Sequence, residues 1–485
     1  MRQVQHLFYL LSGFFRLERR TMYKQLLDND YPTIRLPKDE QWTGIVLKGE
    51  DLLLLSQIYI HGSMRAPSIH DLYQMTYGRE RNSNWISNRL KKFVQSGLLD
   101  RLQESLSEKG QLAGLTYYHY RLNKRGYEVL TSHGFIEQEE ARKVMTLSKR
   151  RRLPSLHTRA TSYLANITFL ELLSNTRSVE GFSHIRGSRH PHLGVSEETV
   201  SDEIKGLIVP DWVFEKDNRI IAIEVDTGSQ RGEKINQKYI RYLKMAEYLD
   251  SLGKELIVIF AVTDSSILDF AVGKDLRKEN RDKRINSLKE LFPPYTEWKE
   301  NLLFYVATAK RVPSIVKHLL NNGPILSIDR IFSTGSWYDK MQKHIAKDYS
   351  LQIEQLNEVL LPNRDKRLDG ELLFQMKKKG VLVSRHLILF SEEGSVSSYQ
   401  RMRNNAYLTN EYNLVPSNRD NPLYLNVIYS EELSADEDVY GHELYENIYL
   451  RDISSLEICK GDHEKKVYSK RFASPYKKEE VKLFI

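Results

Sequence analysis

The sequence predicts a multidomain α/β protein in which an N-terminal winged helix-turn-helix is followed by a three-layer α/β domain and a mixed α+β C-terminal region. Three observations carry this expectation. Helical apolar spacing between Gly49 and Gln95 gives way to two strand-like runs around a polar tip at Lys109-Gly110. Beyond Pro154 the pattern becomes helix, three strands, helix and strand. The last of those strands, Glu255 to Val262 (ELIVIFAV), is continuously apolar, as a strand covered on both faces should be.

Residues 1–48 read as a helical arm and linker with chain-bending Tyr31-Pro32 and Leu36-Pro37. The apolar run His6 to Phe15 is too short to span a bilayer. Arg16-Leu17-Glu18-Arg19-Arg20 also stands where a small-residue cleavage site belongs, so an amphipathic helix is expected. The 485 residues, 40% of them hydrophobic, can fill several cores and exclude global disorder. A single cysteine, Cys459, excludes an intramolecular disulfide framework and a cysteine-rich zinc site. A cytoplasmic protein without a membrane partner is expected. The 72 Lys and Arg against 64 Asp and Glu, a net charge of +8, suit an anionic partner.

Residues 49–135 hold the expected winged helix-turn-helix. Its helices run Leu52 to Ile60, Ser68 to Met75 and Ser83 to Gln95; the strands Leu98 to Gln103 and Leu115 to Leu122 and a short helix, Lys124 to Leu130, follow. In the third helix Ile86, Leu90, Phe93 and Val94 form one apolar stripe. Asn84, Trp85, Asn88, Lys91 and Lys92 occupy the other face, with amides suited to base edges and cations suited to phosphates. Double-stranded DNA is the expected partner. A basic linker, 136–154, comes next. Between residues 141 and 160 there are seven basic residues and no acidic ones, so Arg150, Arg151 and Arg152 are expected to touch the phosphate backbone.

The α/β domain is expected over 155–310. It comprises a helix His157 to Leu173, strands Phe182 to Gly187, Leu207 to Phe214 and Arg219 to Asp226, a helix Gly232 to Leu249, and strands Glu255 to Val262 and Leu302 to Ala307. Asp211 and, thirteen residues later, Glu224 fall on two neighbouring strands, and Glu224 and Asp226 share a face because side chains alternate. Metal-dependent phosphodiesterases hold divalent cations, Mg²⁺ or Mn²⁺, with such carboxylates. Asp211 and Glu224 are therefore the expected metal ligands. Glu171, on the helical face of Leu164 and Ile167, is placed to add a third.

The spacing Pro210-Asp211 to Glu224-Val225-Asp226 resembles the PD-(D/E)XK nuclease superfamily, whose core has the same order of elements. The resemblance implies a restriction-endonuclease-like domain with a catalytic set of Asp211, Glu224, Asp226 and Lys238. Asp226 stands where that superfamily has its lysine, and Lys234 and Lys238 lie on the next helix, Lys238 beside the packing stripe Ile235, Tyr239, Tyr242, Ala246 and Leu249. A wider resemblance covers residues 50–265. The winged helix, His157 and Asn166 on one helix, Pro210-Asp211, Glu224-Val225-Asp226-Thr227-Gly228 and Lys238-Tyr239-Ile240-Arg241-Tyr242 together resemble the replication-relaxation family. That family occurs on Gram-positive plasmids, phages and integrative elements. The resemblance implies a DNA-binding protein of plasmid or mobile-element replication or mobilisation, with host replication or conjugation proteins as further partners. It is compatible with a metal-dependent nicking endodeoxyribonuclease, or with a non-catalytic replication initiator or transcriptional regulator on an inactive nuclease-like fold.

Residues 311–485 are expected to form a mixed domain around Leu372 to Met376, Val381 to Phe390 and Tyr424 to Tyr429. The acidic run Glu431, Glu432, Asp436, Glu437 and Asp438 and the basic end Lys465 to Lys482 read as solvated faces. His190-Pro191-His192 resembles the metal-holding histidine pair of rolling-circle relaxases, but its proline would interrupt the strand such a pair sits on. There is no Walker phosphate loop and no His-Glu-x-x-His, which leaves ATPase and zinc-protease functions without support.

Overall fold

The structure, a computed structural model, describes residues 24–26, 30–77, 83–105, 116–136, 138, 142, 155–173, 186–188, 208–228, 232–264, 278–324, 348–354, 368–414, 421–429, 435–439, 447–452, 467–474 and 477–483. His6 to Phe15, Lys109-Gly110, Arg150 to Arg152, His190-Pro191-His192, Glu431-Glu432 and Cys459 lie outside them. The chain is a mixed α/β protein with several sheets. Two compact units form: Met1–Thr227 with Thr263–Asp275, and Gly228–Val262 with Leu276–Ile485. Among the described residues no helix is long and apolar enough to cross a membrane.

Residues 24–26 are helical, and a hairpin follows within the segment expected to be a helical arm and linker: β1 (Ile34–Leu36) pairs antiparallel with β2 (Ile45–Leu47). Next come α1 (Gly49–His61), β3 (Met64–Arg65), α2 (Ala66–Tyr77), α3 (Ser83–Gln95), β4 (Leu99–Ser105), β5 (Thr116–Leu122) and α4 (Lys124–Ser132). The strands form an antiparallel sheet in the order β3-β5-β4. Leu52, Leu53, Leu54 and Leu55 of α1 are each at most 1% exposed, which is why this helix is apolar nearly all round. Helix α3 buries Ile86, Leu90 and Phe93 and turns its polar side to solvent. It stops at Gly97, whose φ of +72° suits a residue without a side chain. A Cβ at Gly97 would also stand 2.5 Å from the Trp42 indole, so the same glycine lets the hairpin pack on the end of α3.

The unit continues with α5 (Leu156–Leu173), β6 (Arg186–Ser188), β7 (Trp212–Lys216) and β8 (Arg219–Asp226), which pair antiparallel in chain order. The strand expected from Leu207 to Phe214 begins only at Trp212, after Pro210, which has no N–H to give a ladder. Of the run expected from Phe182, the strand found is Arg186–Ser188. Helix α5 packs against the end of α1: Asn166 Nδ2 donates to the Ser63 carbonyl at 3.3 Å, and the Arg65 guanidinium lies 4.7 Å over the Tyr163 ring.

The His61 ring is 1% exposed and stacks on Trp212 with centroids 5.1 Å apart and planes 5° from parallel. Neither ring nitrogen has a hydrogen-bond partner. Burial accordingly drives the His61 pKa from 6.5 down to about 3. The unfolded chain takes up this proton near pH 6.5 while the folded chain refuses it until about pH 3, so stability is full above the first value and is lost progressively below it. Between neutrality and pH 5 the loss from this residue should be roughly 2 kcal/mol. His61→Phe keeps a flat ring and removes the titrating group. Denaturant titrations of both proteins at pH 7 and 5 should show the variant losing less. Equal losses would mean that His61 does not set the acid limb.

The second unit holds α6 (Gly232–Asp250), β9 (Glu255–Val262), α7 (Lys278–Glu290), β10 (Leu302–Thr308) and α8 (Val312–Asn322), with β9 and β10 parallel. A seven-stranded sheet follows, in chain order: β11 (Tyr349–Glu354), β12 (Leu372–Lys378), β13 (Val381–Ser391), β14 (Leu423–Tyr429), β15 (Ile448–Asp452), β16 (Val467–Ser474) and β17 (Lys477–Leu483). β13, β14 and β15 run parallel, and α9 (Val396–Glu411) makes the crossover between the first two. Among the described elements the order helix, three strands, helix, strand occurs twice, first as α5-β6-β7-β8-α6-β9 and again as α8-β11-β12-β13-α9-β14.

Of the acidic run expected to be solvated, Asp436 is exposed but Asp438 is not. Asp438 is 5% exposed and accepts from the fully buried Lys289 ammonium at 2.8 Å, from the Tyr429 hydroxyl at 2.8 Å and from the Gly394 N–H at 3.1 Å. A buried carboxylate persists only with such partners.

Candidate functional site

Helix α3 presents Asn84, Asn88, Lys91 and Lys92 as exposed side chains. Trp85, expected among them, is half-buried and packs edge-on against Tyr73 at 5.6 Å. Arg89, which lies on the same helix, turns inward. Its Nε donates to Asp51 Oδ1 at 2.9 Å, and its Nη2 donates to Asp51 Oδ2 and, at 2.7 Å, to the Val46 carbonyl. Burial opposes the charge on Arg89, but the hydrogen bond and charge of Asp51 more than offset it and hold the guanidinium above its ordinary value. Arg89 thereby ties α3 to α1 and to the hairpin. Two hollows flank it: one of about 670 Å³ touches Arg35, Pro37, Val46, Lys92 and Gln95, and one of about 500 Å³ touches Lys48, Glu50, Trp85, Asn88 and Lys92.

The carboxylates lie elsewhere in this unit. The β7–β8 ladder ends at the pair Trp212 and Ile223, so the next positions along are Asp211 and Glu224. Asp211 Oδ1 meets His157 Nε2 at 2.8 Å, and its Oδ2 accepts the Val225 N–H at 2.7 Å, in place of a ladder carbonyl. Glu224 and Asp226 are 2% and 1% exposed. Glu171 is half-buried on α5, fourteen residues beyond His157. A rise of 1.5 Å per residue separates those two Cα atoms by about 21 Å, so Glu171 and Asp211 do not share a cation. Lys238 lies half-buried on α6 of the second unit. Among the described residues no three His, Cys, Asp or Glu side chains come together as a metal-holding group. Each Asp211 oxygen already has a hydrogen-bond partner, His157 for one and the Val225 N–H for the other.

His157 is the partner that charge-counting in the sequence misses, since an imidazole at the start of a helix has many uses. Its signal was the motif that also contains Asn166: the first holds Asp211 and the second holds the Ser63 carbonyl.

Residues 55–254 match the family model described as replication-relaxation. Through this segment the chain is similar to the replication-relaxation family. No curated protein and no solved structure matches the chain. The replication-relaxation segment includes α3, the His157–Asp211 pair and β8, and leaves out the β1–β2 hairpin.

Proposed function

We propose that this protein binds DNA in the replication or mobilisation of a plasmid or other mobile element, with α1 to α4 and their sheet acting as a winged helix-turn-helix and α3 as its recognition helix. One observation carries the reading: the outward face of α3 offers two amides and two lysines, and the helix contains no acidic residue. Arg150, Arg151 and Arg152 are assigned backbone contacts by their charge alone.

Replacing Lys91 and Lys92 together with Ala should weaken duplex binding by about 1–3 kcal/mol and make the salt dependence shallower, because fewer counterions are released. Asn88→Ala should instead change sequence preference. Fluorescence anisotropy on the full chain measures both. A wild-type protein that binds no duplex at low salt would make α1 to α4 a protein-binding module.

Metal-dependent nicking by Asp211, Glu224, Asp226 and Lys238 is the second reading. The register that sets Asp211 across from Glu224 favours it, and the engaged oxygens of Asp211 speak against it. Conversion of supercoiled plasmid to open circle with Mn²⁺, stopped by chelator and lost in Asp211→Asn, would establish it. Without that conversion in the wild type, the chain is a DNA-binding scaffold.

A further inference from the structure

The β1–β2 hairpin lies outside the family match and beside α3. We infer that it is a second DNA contact, a clamp that grips the phosphate backbone between Arg35 and Lys48 of the hairpin segment and Lys92 of α3. This role rests on α3 facing DNA and extends that face with a surface the family segment does not contain.

Arg35, Lys48 and Lys92 are exposed, and among the described residues none of their side chains engages a carboxylate. They line two neighbouring hollows that share Val46, Arg89 and Lys92 as a common wall. Three nearby acids are occupied or withdrawn, and Glu40 in the hairpin loop is exposed but lines neither hollow. Asp51 holds Arg89, Asp39 accepts the Gln41 and Trp42 N–H groups at 2.8 and 2.6 Å, and Glu50 is 6% exposed. Hollows with unpaired cations along their walls attract a polyanion. Val46, 47% exposed, supplies an apolar floor on which a sugar can rest.

The hairpin is also held rigidly, so its cations are placed before any ligand arrives. The Thr43 N–H donates to the Gln95 carbonyl at 3.1 Å, Arg89 donates to the Val46 carbonyl, and Arg125 donates to the Pro37 and Ser96 carbonyls at 2.7 and 3.1 Å. Trp42 seats on Gly97 at the end of α3. Hairpin and helix therefore meet a duplex as one body.

The test uses the full chain and a fluorescein-labelled mixed-sequence duplex, with anisotropy recorded over a range of KCl concentrations. The Arg35→Gln, Lys48→Gln double variant should bind roughly tenfold or more weakly at low salt. Its plot of log affinity against log salt should be shallower by about 2, with an unchanged melting temperature because both side chains are exposed. A wild-type slope in this variant, alongside a reduced slope in the Lys91→Ala, Lys92→Ala protein, overturns the clamp, leaves α3 as the DNA contact and gives the hollows to a protein partner. If the wild type binds no duplex at low salt, the DNA reading of α3 fails and the clamp fails with it.

Discussion

Lys289→Ala is expected to destabilise the second unit by about 3–5 kcal/mol, because it strands a carboxylate where water does not reach. The two side chains are 0% and 2% exposed, and their separation of 2.8 Å leaves no room for solvent between them. The ammonium also donates to the Val439 carbonyl at 2.9 Å and lies 5.4 Å from the centre of the Tyr399 ring. Asp438 would keep the Tyr429 hydroxyl and the Gly394 and Val439 N–H groups, which holds the loss below that of a bare buried charge. Replacing both partners, Lys289→Met with Asp438→Asn, should be milder than the sum of the single changes. Denaturant midpoints for the four proteins of this cycle measure the coupling. If Lys289→Ala shifts the midpoint no more than Ala at the exposed Lys379, the pair contributes nothing to stability.

Asp51→Ala should remove a comparable amount, about 3–5 kcal/mol, from the first unit. The Asp51 side chain is 1% exposed and that of Arg89 17%, so the guanidinium is left largely inside without its counter-charge. The carboxylate also accepts the Lys48 N–H at 2.8 Å at the start of α1 and receives the Tyr73 hydroxyl at 3.5 Å. One residue therefore joins α1, α2 and α3. Asp51→Asn retains acceptor capacity without the charge and should lose less. Hydrogen exchange on α3 provides the local readout: faster exchange in Asp51→Ala, confined to α1 to α4 and the hairpin, is expected. Unchanged protection of α3 would assign its stability to Ile86, Leu90 and Phe93 alone.

The elements legible in the sequence were those that bury a regular stripe or a continuous run. Helix α3 and strand β9 occupy the spans their apolar patterns predict, Ser83–Gln95 and Glu255–Val262. The β1–β2 hairpin was not legible because three residues per strand are too few for an alternation to register. Helix α7 escaped for a different reason: over Lys278–Glu290 only Ile285 and Leu288 are apolar, and its inward side carries Asp282, Asn286 and Lys289 instead. The last of these finds its partner 149 residues away, a separation no local pattern encodes. At the candidate site, the exposed amides and lysines of α3 followed from helical spacing. The inward turn of Arg89 did not, because it depends on Asp51 being brought beneath it by another helix. Asp211 and Glu224 were read as carboxylates on adjacent strands; Asp211 instead directly precedes β7, and the imidazole beside it comes from α5, 54 residues earlier.

The first unit is interrupted: the chain leaves it after Thr227 and returns at Thr263, where the Thr263 N–H donates to the Asp226 carbonyl at 3.0 Å. Synthesis proceeds in one direction, so this interruption imposes a timetable. The helices and hairpin up to Ser132 emerge early, and their pairings are mostly short in range. The edge beside Asp226 can be closed only when Thr263 has left the ribosome, on the order of ten seconds later at ordinary elongation rates. During that interval the nascent chain displays a finished α3 face while Asp226 still lacks the neighbour that Thr263 provides. Premature termination in the same window would release a fragment that retains the α3 sequence without the Thr263 neighbour of Asp226.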